Sequence, residues 1–283
     1  MAEVQGTSST GRPVTVIRAT RGWLPIDLRE LWAYRELLVF LVWSEIKVRY
    51  KQTTLGAAWA IIPPFLTMVV FSVFFGKLAK LESDGFPYPV FAYSALVPWT
   101  FFSTALTGAA NSLLRYQGVI TKVYAPRMLM PTSAVLSSMV DFAISFVILI
   151  GLILYYGIVP PIEILLLPFF ILLTAATALG IGLWLAALTA LYRDVRYTVP
   201  FLIQIWLFMT PVAYSSTLIP EKYRFIYGLN PMAGVVTGFR WTLLGADQHV
   251  GPMMLVSIGM VIVILVSGAY YFRRAERTLA DIV

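Results

Sequence analysis

Asp141 is the one charged residue inside any long apolar stretch of this chain. A carboxylate at membrane depth is a functional candidate by default, because a charge in hydrocarbon is costly. Two readings fit it: a step in an ion or proton path, or a structural group bonded to nearby Ser and Thr hydroxyls or paired with a loop Arg. A proton relay would want several such groups, and no second acid and no base falls in these stretches. Other chemistries are excluded by residue type. With no cysteine there is no disulfide, no Cys-ligated zinc or iron–sulfur cluster and no thiol nucleophile. His249 is the single histidine, too few for a His-rich metal site. The sequence holds no GxxxxGK[ST] phosphate loop, no H-E-x-x-H and no G-x-S-x-G. Neither a metal nor a cofactor is therefore expected in this chain.

Aromatic rings are the abundant alternative: 8 Trp, 15 Tyr and 18 Phe. Trp59, Phe71, Phe74, Phe102, Trp206 and Phe208 fall inside apolar stretches. Sugars stack their C–H faces on rings, so a ring-lined passage would let a glycan slide without trapping it. Ordinary helix-packing or lipid-facing bulk explains the same residues equally simply.

The elements that carry these groups are written in the composition. Of 283 residues, 59% are hydrophobic and 12% charged, about half the charge of a soluble domain, and mean hydropathy is +0.80. Disorder is excluded and a soluble enzyme disfavoured. The net charge is +7, but the charges lie between long uncharged runs. That is the pattern of a polytopic membrane protein, not of a nucleic-acid binder. Six stretches are near the roughly 20 residues that cross a bilayer as a helix: 57–76, 90–112, 134–157, 164–190, 199–216 and 253–272. The runs are continuous and do not alternate, so helices are expected and barrel strands are not. Sixteen Lys and Arg flank one side and five the other, which places both termini in the cytoplasm. No signal peptide is expected, because the first 30 residues lack an apolar core.

Three organisational units follow: a flexible cytoplasmic N-terminus (1–26), an amphipathic interface helix (27–52) and a six-span transmembrane domain (53–283). In the second, Leu31, Tyr34, Leu38, Leu41, Val42 and Ile46 recur at helical spacing beside charged residues, with Trp32 and Trp43 as interfacial anchors. A soluble helix packed on the loops is the alternative. Pro63-Pro64 should bend the first span, as a pore-side kink or as a packing kink. Residues 113–130 mix apolar and basic side chains, as a partner's docking surface or as a positive anchor. The segment 217–252 contains an apolar run, Met232–Leu244, too short to span, behind a strong turn signal at Asn230-Pro231. A re-entrant helix pair between spans five and six is expected there, with a surface Ω-loop as competitor.

Several motifs carry a family resemblance. Arg49, Tyr50, Lys51, Thr53, Leu55, Gly56 and Trp59, then Pro64, Phe71, Phe74, Phe75 and Gly76, lie in WSEIKVRYKQTTLGAAWAIIPPFLTMVVFSVFFG. This segment resembles the permease subunits of ABC transporters that export polysaccharides: O-antigen, capsule and teichoic acid exporters. NSLLRYQGVITKVYAPRMLMP (111–131), LYRDVRY (191–197) and LNPMAGVVTGFRW (229–241) are similar to that family's coupling region, its loop before span five and its extracytoplasmic gate helices.

The resemblance implies a homodimer of six-span half-transporters in the bacterial inner membrane. Each would bind one copy of a separate nucleotide-binding subunit, which holds ATP and Mg, and the substrate would be a lipid-linked glycan. It implies coupling roles for Arg115, Tyr116, Lys122 and Tyr124, and for Arg193, Asp194 and Arg196. It places Arg35, Lys47, Arg49 and Lys51 at the substrate's point of access beside membrane lipids, and Asn230, Pro231, Arg240 and Trp241 at an outer gate. A drug or lipid efflux permease remains the alternative within the superfamily. A membrane enzyme acting on lipid-linked glycans is the alternative outside it.

Overall fold

An apolar chain segment without water can satisfy its backbone only through its own helical ladder, and helices dominate the structure accordingly. The computed structural model describes residues 2–7, 13–18, 28–51, 56, 58–120, 125–246 and 251–279. Within 1–26, read from sequence as flexible, β1 (Ala2–Thr7) and β2 (Pro13–Arg18) pair antiparallel, Val4 opposite Val16. The β-branched run Val14–Ile17 favours that extended backbone. Helices α1 (Leu28–Ala33) and α2 (Arg35–Lys51) follow.

Among the described residues, five helical stretches are long and apolar enough to cross a membrane: Ala58–Leu78, Tyr88–Ala110, Leu129–Tyr155, Ile162–Leu191 and Pro252–Glu276. The first joins α3 (Ala58–Phe71) to a π-helical turn at Ser72–Leu78. The second is α4 (Tyr88–Ala110), followed by two short helices, α5 (Ser112–Arg115) and α6 (Gln117–Ile120). The third is α7 (Leu129–Tyr155). The fourth is α8 (Leu167–Leu191), entered through a 3-10 turn, and the last lies within α12 (Pro252–Leu279). Between them lie α9 (Val195–Met209), α10 (Glu221–Tyr227) and α11 (Pro231–Leu244).

The fifth span expected at 199–216 is a shorter apolar helix than the others. Its helix α9 has 15 residues, about 22 Å at 1.5 Å per residue against about 30 Å of hydrocarbon. Pro211 ends it. The residue before proline resists the helical region, and Thr210 is extended at φ −106°, ψ 143°.

Proline has a different outcome in α3, which runs through Pro63 and Pro64. Pro64 has no N–H to offer the Ala60 carbonyl four residues back. The Ser145 hydroxyl of α7 donates to that carbonyl instead, at 2.8 Å. The freed carbonyl is thus satisfied by a neighbouring helix.

Helix α4 is the hub, with 78% of its apolar window buried against 22% for the Ala58–Leu78 helix. It packs on α3, α7, α8 and α11. Helices α8 and α12 meet at Gly180 and Gly268, where a Cβ on Gly268 would stand 2.1 Å from the Gly180 carbonyl oxygen. Such close approach is how helices associate where lipid removes the hydrophobic drive between them.

Candidate functional site

Three polar features sit in this apolar bundle, each where neighbouring helices meet. The first joins α2 to α7. Glu45 and Arg49 are one turn apart on α2, and Ser133, Ser137 and Asp141 are successive turns on α7. Glu45 is buried, 6% exposed. Its carboxylate accepts from the Ser137 hydroxyl at 2.7 Å and from Ser133 at 3.4 Å. The Tyr116 hydroxyl donates to it at 3.1 Å, and the Arg115 guanidinium stands 3.7 Å away. One turn on, Arg49 and Tyr50 both donate to the Asp141 carboxylate. Burial first, and then the hydrogen bond to Asp141, push the Tyr50 hydroxyl well above its ordinary pKa. Burial and the Glu45 charge do the same for Tyr116. Both phenols therefore stay protonated and act as donors.

The second feature is a groove of about 640 Å³ that begins at Arg49, Tyr50 and Asp141. Its walls are α3, with Trp59, Pro63 and Thr67, and α4, with Trp99, Thr100, Ser103 and Thr104. Two indoles, five hydroxyls and one ion pair offer stacking faces and hydrogen bonds with little net charge. Among the described residues the carboxylate there is that of Asp141, paired with Arg49, and the lining offers surfaces for binding and passage. Among the described residues no group of His, Cys, Asp and Glu could hold a metal ion.

The third cluster lies where α9, α10 and α11 meet. Asn230 caps α11 by accepting from Met232 N–H, Pro231 follows at the first helical position, and Gly245 closes the helix at φ +68°. The Arg240 guanidinium is fully buried. It donates to the carbonyls of Pro211 (2.6 Å), Val212 (2.7 Å), Tyr214 (3.0 Å) and Phe91 (3.3 Å), and lies 3.5 Å over the Phe91 ring. The first three are the backbone groups that the Pro211 break removes from a helical ladder. One five-donor fork thus satisfies the non-helical segment.

The structure brings some sequence-derived candidates together and separates others. Arg115 and Tyr116 meet at Glu45, whereas Lys122 and Tyr124 lie outside the described residues. Arg193, Asp194 and Arg196 stand exposed at the turn between α8 and α9. Arg35 and Lys47 lie over the Trp32 and Trp43 rings, and Lys51 is exposed.

The six aromatics do not form one lining. Trp59 lines the groove, but Phe71 and Phe102 are buried between helices, and Phe74 and Phe208 face outward. Trp206 packs edge-on to Phe102 at 5.2 Å. Asn230, Pro231 and Arg240 form the α9–α11 junction, and Trp241 packs beside them against the core.

Sequence reasoning gives Glu45, one of several scattered acids, and Trp99, read as an interfacial ring, no role at a site. The signal for Glu45 was present: it continues the stripe of Leu38 and Leu41 at helical spacing, an acid where an apolar residue is due. The signal for Trp99 was weaker: it shares a helical face with Ser103 one turn on.

Comparison with known proteins gives this geometry its context. The ABC-2 type transporter family matches residues 36–244. The O-antigen export system permease protein RfbA of Myxococcus xanthus is 32% identical over 256 residues, covering 88% of this chain and 96% of that protein. A protein of the same name from Klebsiella pneumoniae is 26% identical, with 88% and 95% covered. The polysialic acid transport protein KpsM of Escherichia coli is 21% identical, with 83% and 92% covered.

Proposed function

The chain belongs to the ABC-2 type transporter family, and from that premise we propose that it is the permease half of an ATP-driven polysaccharide exporter. Its cargo is a lipid-linked glycan, O-antigen or a similar polymer, moved from the cytoplasmic to the outer side of the bacterial inner membrane. The observation that carries this reading is the near full-length match to an O-antigen export permease, 32% identical across 96% of that protein. The hydroxyl-and-indole groove between α3 and α4 supports it, because these are the surfaces that hold sugars without fixed charge.

The working unit in this reading is a homodimer, each copy bound to one separate ATPase subunit that holds ATP and Mg. Both termini face the cytoplasm, and α9 is the sixth, shortened crossing. Arg115, Tyr116 and the Arg193–Arg196 turn receive the ATPase. Helix α2 lies at the cytoplasmic interface. Its buried face carries Glu45, while Val39, Phe40 and Trp43 are exposed, as is Trp32 on α1, the reverse of a helix facing water and the arrangement a lipid surface favours. Arg49 at the groove mouth suits an anionic lipid head group by charge, and α10–α11 act as the outer gate.

Deletion of the gene is expected to remove the surface glycan and to leave lipid-linked glycan inside the cell, with both restored by a plasmid copy. Normal surface glycan in the deletion strain, in a background without a second exporter, would overturn the assignment.

A further inference from the structure

Glu45 is the most deeply buried acid among the described residues, and neither the groove nor the α9–α11 junction uses it. Its environment is specific. Three hydroxyl groups donate to its two oxygens, from Tyr116, Ser133 and Ser137. Arg115, whose side chain is 49% exposed, is the cation 3.7 Å from it. Those groups come from different places: Arg115 and Tyr116 from the end of α5, and the serines from the start of α7. Glu45 itself sits one turn before Arg49, at the groove mouth. A buried carboxylate accepts several donors at once and is costly to leave unpaired, so it holds its partners in one arrangement.

We infer that Glu45 is a positioning residue for transport: it clamps α2 to the Arg115–Tyr116 turn and to α7, so that a push on that turn moves the groove mouth as one body. The inference rests on the reading of the chain as an ATP-driven permease. Under it, a displacement of α5 reaches Arg49 through Glu45 and one turn of α2, and reaches Asp141 through the Glu45 contacts on α7. Tyr116→Phe would remove one donor, Arg115→Gln the cation, and Glu45→Ala the centre of the cluster. Glu45→Gln would keep an acceptor for Ser137 and Tyr116 while giving up the charge.

The test uses the permease assembled with its ATPase subunits in a deletion strain and in membranes prepared from it. Glycan export and ATP hydrolysis are measured on the same samples. Glu45→Ala is expected to lower glycan exported per ATP by about tenfold, within the range by which residues of such a network change coupling. ATP hydrolysis should persist, and Glu45→Gln should recover part of the ratio. The chain has no cysteine, so a spin-label pair at Val48→Cys and Gln117→Cys, both exposed positions, reads the clamp directly. One narrow distance is expected in the nucleotide-free and ATP-trapped states, broadening in Glu45→Ala.

An unchanged export-to-ATP ratio in Glu45→Ala, or a distance that shifts between the two states of the otherwise unaltered protein, overturns the inference. If Glu45→Ala does not accumulate, Tyr116→Phe and Arg115→Gln carry the same test, and unchanged ratios in both overturn it. Failure of the unsubstituted gene to restore surface glycan would instead sink the exporter reading, so the two failures are separable.

Discussion

The Asn230 side chain accepts the Trp206 indole N–H at 2.9 Å, while its own amide N–H group reaches the Thr210 hydroxyl at 3.0 Å and the Met209 carbonyl at 3.2 Å. The same oxygen caps α11 through Met232 N–H at 3.1 Å. One side chain thereby fastens the broken end of α9 to the start of α11. Trp206 carries the link on to α4 through its edge contact with Phe102. A tilt of α9 cannot leave α11 in place without breaking this amide's bonds.

Asn230→Ala removes the cap and leaves the half-buried Trp206 indole N–H without its partner. A lost cap costs about 1 kcal/mol, and a lost hydrogen bond about 0.5–1.5 kcal/mol. The expected total is about 2 kcal/mol, read as a lower midpoint in thermal unfolding of the detergent-solubilised protein. Trp206→Phe loses only the N–H bond and should cost less. Asn230→Asp keeps the cap but sets a carboxylate against the Met209 carbonyl, so it should fall between Asn230→Ala and the unsubstituted protein. A melting midpoint for Asn230→Ala equal to that of the unsubstituted protein would show that the junction is held by other contacts.

Arg240 sets up a sharper chemical comparison. Its guanidinium donates to four carbonyls in a fixed fork. Lysine keeps a charge but has three donors on a point-like head, so Arg240→Lys should leave carbonyls unpaired near the Pro211 break. Arg240→Ala leaves all four, at about 1–3 kcal/mol for each buried group that water cannot reach. Membrane accumulation is expected to drop for Arg240→Lys and to vanish for Arg240→Ala. Equal accumulation of Arg240→Lys and the unsubstituted protein would mean that the positive charge, and not the fork, is what the segment needs.

Much of this fold is legible in the sequence because its signals are local. Continuous apolar runs mark the span-length helices, and Asn230-Pro231 followed by Gly245 marks both ends of α11. Where the outcome depends on a neighbour, the sequence is silent. Pro63-Pro64 and Pro211 carry the same local signal of a missing donor, yet α3 continues and α9 stops. The difference is tertiary: Ser145 meets one freed carbonyl, while Arg240 gathers three beyond the other break. The groove was only half legible. Trp59 stands in a recognisable motif, but Trp99 and Ser103 face it only because α4 is turned that way by α7 and α8. Asp141 announced itself as an isolated acid, and its partner Arg49 is 92 residues away, a distance no periodicity bridges.

The Ser145 bond makes a test in which two losses should partly cancel. Ser145→Ala leaves the Ala60 carbonyl without its donor, at about 1–3 kcal/mol. Pro64→Ala restores a backbone N–H that can bond Ala60 within the helix. In the Pro64→Ala background, Ser145→Ala should therefore be close to neutral. The double-mutant cycle, measured by unfolding in detergent, is expected to show a coupling of about 1 kcal/mol or more. Strict additivity would mean that Ser145 contributes only packing.

The Arg49–Asp141 pair separates a clamp from a binding group. Both residues line the groove mouth, and the Arg49 side chain remains 32% exposed, so water can solvate it when its carboxylate is neutralised. Asp141→Asn should then cost little, about 0–1 kcal/mol for a partly exposed pair, with export reduced only a few-fold. Arg49→Gln removes the cation that the proposed anionic head group would meet, and should reduce export by about tenfold or more, a charged hydrogen bond being worth about 1.5–3 kcal/mol. In Arg49→Gln/Asp141→Asn the neutral amides can bond each other, so a mere clamp would be rescued. The expectation is that export stays low in that double variant while accumulation in the membrane returns to the unsubstituted level. Recovery of export alongside accumulation would reduce the pair to a fold contact and remove Arg49 from the substrate's path.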